Sequence, residues 1–381
     1  MLEGITVLDL ASVGPAARAS RWLADYGATV IKVGPVPGRE GVQITPAFHA
    51  YSAHRQMRRV LVDLKAAEGK EVLLRLAEGA DVLIESFRPG VMARLGLGYE
   101  DVRGRNPRIV YCSTTGYGQH GPHASWAGHD LNYLAVGGFL DCTGRGPDDG
   151  PTIPGATVAD SAAGGMHAVM AVLAALVRRA GTGEGAYLDV AVADGVLALM
   201  ALQIDDYLAT GAVPGPASGM LTGRYACYDT YRAADGRWLS VAAIEPRFWA
   251  NLCRALGLEQ WADRQTDDDV QDQIRIDLGA AFAQRDRDAW IAALAGDDTC
   301  VAAVLSVPEV VDDAQFAARG AFVKAVHPER GTFLQVGPVL AGMAAMSGPY
   351  EVRPGDVTDT DELLAGLGLD PQRLRQAGVV A

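Results

Sequence analysis

A chain of 381 residues, 49% of them hydrophobic, can bury a large core and is expected to form two domains. A formal net charge of −13 argues against nucleic acid as a partner, because a phosphate backbone would be repelled; an anionic small molecule fits only through a local basic cluster. The five cysteines are odd in number, scattered and without a Cys-x-x-Cys pair, which fits reduced thiols. The N-terminus has no basic region before an apolar core, and no apolar run reaches the roughly 18 residues that cross a bilayer. The expectation is a cytoplasmic protein with no membrane partner.

In chain order, Ile5 to Ala11 reads as a strand. A turn at Gly14-Pro15, a helix from Ala16 to Tyr26 and a second strand, Thr29 to Val33, follow. This βαβ opening implies a parallel sheet. A Gly/Pro-rich loop, Gly34 to Pro46, precedes a strand at Val60 to Leu64, a helix at Ala66 to Glu78, and strands at Asp81 to Glu85 and Ile109 to Thr114. Asp160 stands where an N-cap belongs, ahead of a helix from Ser161 to Arg179 whose apolar faces continue all round, as in a buried helix. Gly211 to Pro216 interrupts the pattern. Tyr225 to Tyr231 and Trp238 to Ala243 then look like paired strands, and helices follow at Phe248 to Leu256 and Ile274 to Arg285. From about Gly337 the tail is turn-rich and without an obvious core of its own. The fold class is therefore α/β. A large domain with a parallel, Rossmann-like sheet spans residues 1–205 and is completed by 335–381; 206–222 form a linker, and 223–325 a smaller α+β domain.

Several motifs are decoys. Gly116-Tyr117-Gly118-Gln119-His120-Gly121 matches Gly-x-Gly-x-x-Gly, but Pro122 and irregular sequence follow where a dinucleotide site needs a helix. His120, His123 and His129 match no common zinc spacing, so no metal is expected. The basic residues are more informative. Arg55, Arg58, Arg59 and Lys65 lie close together, and Arg88 sits at the end of a strand, where loops of an α/β sheet build ligand sites. Arginines there can hold phosphates through forked hydrogen bonds. Arg59 and Lys65 read as solvated charge, and Arg88 is balanced between ligand contact and capping.

Five segments together resemble the class III (CaiB/BaiF) coenzyme A-transferase superfamily over nearly the whole chain. They are Leu2 to Leu10, Gly27 to Val33, Phe87-Arg88-Pro89-Gly90, Thr115 to Pro122, and Gly183 to Val190. Transferases of that superfamily use an Asp at the position of Asp160 as a nucleophile that carries the acyl group. The α-methylacyl-CoA racemases use it as an acid/base and pair it with the His of Gly-His-Asp-x-Asn-Tyr. Here Gly128-His129-Asp130-Leu131-Asn132-Tyr133 carries that pattern. Ala243-Ile244-Glu245-Pro246-Arg247-Phe248 resembles the racemase segment whose Glu lies beside the His, and Tyr228-Asp229-Thr230-Tyr231 is racemase-like too. Gly34 replaces a Glu that many members carry, and His54-Arg55-Gln56-Met57-Arg58 replaces their Asn-Arg-x-Lys, so contacts at the adenosine and phosphate end are rearranged.

The resemblance implies a racemase that inverts C2 of 2-methylacyl-CoA thioesters, or alternatively a transferase working through acyl-Asp160. Coenzyme A enters as part of the substrate, and no cofactor is permanently bound. His129 and Asp160 exchange protons with opposite faces of an enolate, and Glu245 orients His129. Backbone N–H groups at the helix start behind Asp160 stabilise the oxyanion. Arg55, Arg58, Arg88, Gly116, Tyr117 and Tyr133 contact the CoA thioester. Taken singly, His129 reads as a buried histidine bonded to a carbonyl, Asp160 as a helix cap and Glu245 as a charge favoured at a helix start. The superfamily's interlocked homodimer, also implied, draws His129 and Asp160 from one chain and Glu245 from its partner.

Overall fold

The computed structural model describes residues 1–11, 13–37, 47–144, 146, 148 and 150–381. Residues 38–46 of the expected Gly34–Pro46 loop lie outside them. The chain divides into two compact units: Met1–Phe139 with Ile153–Leu202 and Ala314–Ala381, and Leu140–Thr152 with Gln203–Asp313. Leu140–Thr152, assigned by sequence to the large domain, falls in the second unit, and Ala314–Ala325, assigned to the small domain, falls in the first.

In the first unit the elements run β1 (Thr6–Asp9), α1 (Gly14–Asp25), β2 (Thr29–Gly34), α2 (Ala47–Ala53), β3 (Arg58–Leu61), α3 (Ala67–Glu78), β4 (Val82–Glu85), α4 (Val91–Leu95), α5 (Tyr99–Arg105), β5 (Val110–Thr115) and α6 (Asp130–Val136). A π-helical stretch, Ala159–Met166, continues into α7 (His167–Thr182), followed by β6 (Ala186–Ala191), α8 (Val192–Leu199) and α9 (Ala201–Thr210), within which the two units divide. All six strands are parallel, in the order β3-β2-β1-β4-β5-β6. Alternation explains the layers. Val7, Val30 and Val82 pack with α1 and α7 on one face; Leu8, Ile31 and Leu83 pack with α3 and the C-terminal helices on the other. Strand order reverses between β1 and β4, so the crevice beyond their carboxyl ends is where a ligand is expected.

Behind that crevice, buried Asp9 at the end of β1 accepts bonds from Ala11 N (2.7 Å), Ser20 Oγ (2.5 Å) and Lys32 Nζ (2.8 Å), and so fixes the β1–α1 turn.

The π-helical stretch follows from its small residues. A Cβ on Gly164 would sit 2.5 Å from Pro15 Cβ, and one on Gly165 2.8 Å from the Trp22 ring. A Cβ on Gly195 of α8 would lie 2.0 Å from the Ala163 carbonyl oxygen. Gly195→Ala is therefore expected to lower the unfolding free energy by about 3 kcal/mol, read as a lower urea midpoint. α7 is not buried all round. Ala168, Val169, Val172 and Ala175 face the sheet, whereas Met170 and Val177 are exposed. By length and composition Ala159–Thr182 could cross a membrane, against the sequence reading; here it packs on α1, α8, β5 and β6.

The second unit holds an antiparallel sheet, β7 (Tyr228–Arg232), β8 (Trp238–Ala242) and β9 (Val301–Ala303), with α10 (Pro246–Leu256), α11 (Gln271–Phe282), α12 (Arg287–Leu294) and α13 (Val307–Asp312). Trp249, Leu278, Phe282 and Leu239 centre its core. The tail returns to the first unit through α14 (Ala314–Ala318). A third sheet, β10 (Phe322–His327), β11 (Gly331–Val336) and β12 (Tyr350–Glu351), forms around Val323, Ala325 and Tyr350; it was not read from the sequence, and only β12 lies in the turn-rich tail beyond Gly337. α15 (Thr360–Gly366) and α16 (Pro371–Gln376) set Leu364 and Leu374 into the main core.

Candidate active site

Each residue of the Gly-His-Asp-x-Asn-Tyr segment has a physical job. A Cβ on Gly116 would lie 2.4 Å from Tyr133 Cε1, and one on Gly128 2.8 Å from the same atom. The two glycines thus admit the Tyr133 ring, whose hydroxyl donates to the Gly128 carbonyl at 2.5 Å. Asn132 Oδ1 accepts the His129 N–H at 3.0 Å, and the His129 carbonyl accepts the Asn132 N–H at 2.8 Å. That reciprocal pair starts α6 with His129 as its N-cap, the side chain exposed. Asp130 Oδ1 accepts the Asp160 N–H at 2.7 Å, tying the start of α6 to the π-helical stretch. The Asp130 carboxylate is thus directed at Asp160.

Asp160 is not the N-cap. Val158 is already helical (φ −68°, ψ −44°), and Asp160 lies in the first turn. Its own N–H is bound to Asp130, and the Ser161 N–H to the Thr157 carbonyl at 3.1 Å. The two N–H groups nearest the carboxyl, expected to face an oxyanion, are therefore engaged within the protein. The sequence suggested a cap because Asp-Ser precedes a small-residue run; the helix starts earlier because those small residues let it pack onto α1.

Burial pushes the Asp160 carboxyl above the usual aspartate range. The Arg18 guanidinium opposes the shift, Asp130 adds to it and the His129 imidazole opposes it, so His129 and Asp160 are within electrostatic reach of each other. Tyr133 is pushed up to about 12, by burial first and then by the charge of Asp160. Arg18 is the residue that sequence reasoning missed. Its Nη1 donates to Asp160 Oδ2 at 3.2 Å and its Nη2 to Thr157 Oγ1 at 2.9 Å. The available signal was a basic residue in the first turns of the helix after β1, beside the strand-order reversal.

The expected CoA-contacting residues separate. Arg55 is buried and bonded to both Asp25 oxygens (3.0 and 2.8 Å) and to the Val336 carbonyl (2.8 Å), so its donors are occupied. Arg58 pairs with Glu362 at 3.0 Å. Both line a cavity of about 120 Å³ with Lys32, His54, Arg59 and Arg353, where burial and the charges of Lys32, Arg59 and His49 press His54 down to about 3. Gly116 and Tyr133 are occupied with each other. The Tyr117 ring meets Tyr133, His123 and Trp126 edge-on, an aromatic cluster under the His129 turn. Arg88 is exposed and makes no ion pair among the described residues; it follows β4 at the reversal point and remains open to a ligand. Glu245 belongs to the second unit, exposed, at the N-cap of α10 with Pro246 after it and no capping bond from its side chain. The Gly-x-Gly-x-x-Gly run leads into turns, with Gly118 at φ +84° and Gly121 at φ +95°, and not into a helix. Among the described residues no group of three metal-ligating side chains comes together.

The sequence profile of CoA-transferase family III matches residues 2–355. Human alpha-methylacyl-CoA racemase is 33% identical over 98% of this chain and 95% of its own length. Succinate–glutarate CoA-transferase of Agrobacterium fabrum is 36% identical over 69% of this chain and 68% of its own. Among solved structures, a CAIB/BAIF family protein from Brucella suis superposes with a TM-score of 0.77 at 29% identity, covering 97% of this chain and 99% of that one.

Proposed function

The chain belongs to CoA-transferase family III, and within it we propose an α-methylacyl-CoA racemase, an isomerase that inverts C2 of 2-methylacyl-CoA thioesters. The carrying observation is that an exposed imidazole, His129, starts α6 beside Asp130, which is bonded to the backbone of Asp160, a carboxyl that burial makes easier to protonate. Racemisation by two groups needs one side chain that can hold a proton and one that can accept it, then the reverse. His129 takes the C2 proton while protonated Asp160 returns one to the opposite face; for the other enantiomer the roles exchange. Arg88 contacts the phosphate end of the CoA thioester. The reading carries a homodimer with it, in which the partner subunit's Glu245 orients His129. Exposed Leu202, Tyr207 and Leu208 on α9, which buries none of its residues, support a covered surface there. Light scattering is expected to report twice the 40.1 kDa chain mass.

The test is incubation of a chiral 2-methylacyl-CoA in deuterated water with no acceptor acid. Deuterium at C2 with loss of optical purity is expected. The second reading, transfer of CoA between carboxylic acids through acyl-Asp160, is favoured by the Arg18 contact, which stabilises the nucleophilic carboxylate. Acyl transfer to an added acid without exchange would establish it and overturn the racemase. His129→Gln separates the two: racemisation is expected to fall by roughly 10²-fold or more, whereas acyl transfer through Asp160 would survive.

A further inference from the structure

We propose that Arg18 is a positioning residue for the reaction: it clamps the Asp160 carboxylate and sets the pH range over which that group acts. The geometry is that of a staple. Arg18 reaches from α1 to two points on the segment carrying Asp160, the Thr157 hydroxyl just before the helix (2.9 Å) and Asp160 Oδ2 in its first turn (3.2 Å). Packing fixes its stem, since a Cβ on Gly165 would lie 3.2 Å from Arg18 Cβ. The bond to the Thr157 hydroxyl does not depend on the charge of the carboxyl and holds the guanidinium beside it.

The strength of the contact matters as much as its presence. A bidentate, fully buried Arg–carboxylate fork would lock Asp160 as the anion and deny it the acid role. Here one nitrogen meets one oxygen, the other goes to a neutral hydroxyl, and the two side chains are 22% and 18% exposed. Such a pair lowers the proton affinity without abolishing it. The groups facing Asp160 are few: Arg18 from α1, His129 and Asp130 from the start of α6, and Tyr133 one turn further. α8 lays Val192 and Gly195 against this helix and leaves Asp194 exposed. Of these groups only Arg18 carries a permanent positive charge, so it alone offsets burial and Asp130 across the whole working pH range.

The inference rests on Asp160 being the reacting carboxyl, and the experiment separates the two questions. The full chain is labelled with ¹³C-carboxyl aspartate, the Asp160 signal is assigned by its loss in Asp160→Asn, and its titration is followed. Arg18→Met is expected to raise the midpoint by about one pH unit or more. Arg18→Lys is expected to restore most of it, and Thr157→Val, which cuts the second anchor, to give a smaller rise. In the exchange assay the acid limb of kcat/KM is expected to move up with the midpoint for the enantiomer that Asp160 deprotonates, and the alkaline limb for the enantiomer to which protonated Asp160 returns the proton. Equal midpoints in Arg18→Met and the parent chain, or equal effects of Met and Lys, would overturn the proposal. If Arg18→Met does not fold, Arg18→Lys and Thr157→Val decide it. Loss of exchange in every protein, parent included, would instead sink the racemase reading while the titration still judges Arg18.

Discussion

Asp160→Asn is expected to reduce deuterium incorporation at C2 by roughly 10²–10⁴-fold, with little change in thermal unfolding. The amide keeps the volume of the carboxyl and can still accept from Arg18 Nη1, so the staple to α1 survives in neutral form. The Asp130–Asp160 tie also survives, because it uses the backbone N–H. Only the ability to lose and regain a proton disappears. The structural cost is that of a partly exposed ion pair, about 1 kcal/mol or less. Steady-state exchange beside a melting curve checks both halves. Exchange within threefold of the parent chain would remove Asp160 from the chemistry. In that case the upward pressure of burial on its carboxyl is a by-product of packing the π-helical stretch against α1.

How much of this was legible depended on the range of the interactions. β1, β2, β4 and β5 announce themselves through short runs of Val, Ile and Leu bounded by Gly, Asp and Pro, and α3 through its 3.6-residue spacing. The βαβ opening made a parallel sheet the natural expectation, which the six parallel strands meet. The β10–β11 pair went unread, and β12 could not be seen because it has two residues and pairs with β10 across more than twenty intervening positions. The π-helical stretch was missed because nothing local distinguishes it from an α-helix. It exists because Gly164, Gly165 and Gly195 permit contacts that only the folded chain brings together. At the site, the resemblance pointed to His129 and Asp160, while the structure supplies the reasons for Gly116, Gly128, Asp130, Asn132 and Tyr133. Arg18 and Asp160 are 142 positions apart. No local pattern joins them.

Arg55 shows the opposite error, a residue read as ligand-binding that holds the fold, and the difference is measurable. Arg55→Met is expected to destabilise the protein by about 3–5 kcal/mol, because it leaves the Asp25 carboxylate buried beside a thioether. The side chains of Arg55 and Asp25 are 0% and 2% exposed, so water cannot replace the lost partner. Arg21, at 3.6 Å from Asp25, offers partial compensation and places the expectation toward the lower end. The Val336 carbonyl in β11 also loses the shorter of its two arginine donors and keeps only Arg21 Nη2 at 3.3 Å, so β11 is expected to loosen before the main sheet. Chemical denaturation reads the first effect and hydrogen exchange of β11 amides the second. Replacing both partners, Arg55→Met with Asp25→Leu, is expected to recover much of the loss, since two apolar side chains leave no charge stranded. A ligand-binding Arg55 predicts the reverse pattern. Stability would barely change, the KM for the CoA thioester would rise at least tenfold, and the double replacement would recover nothing.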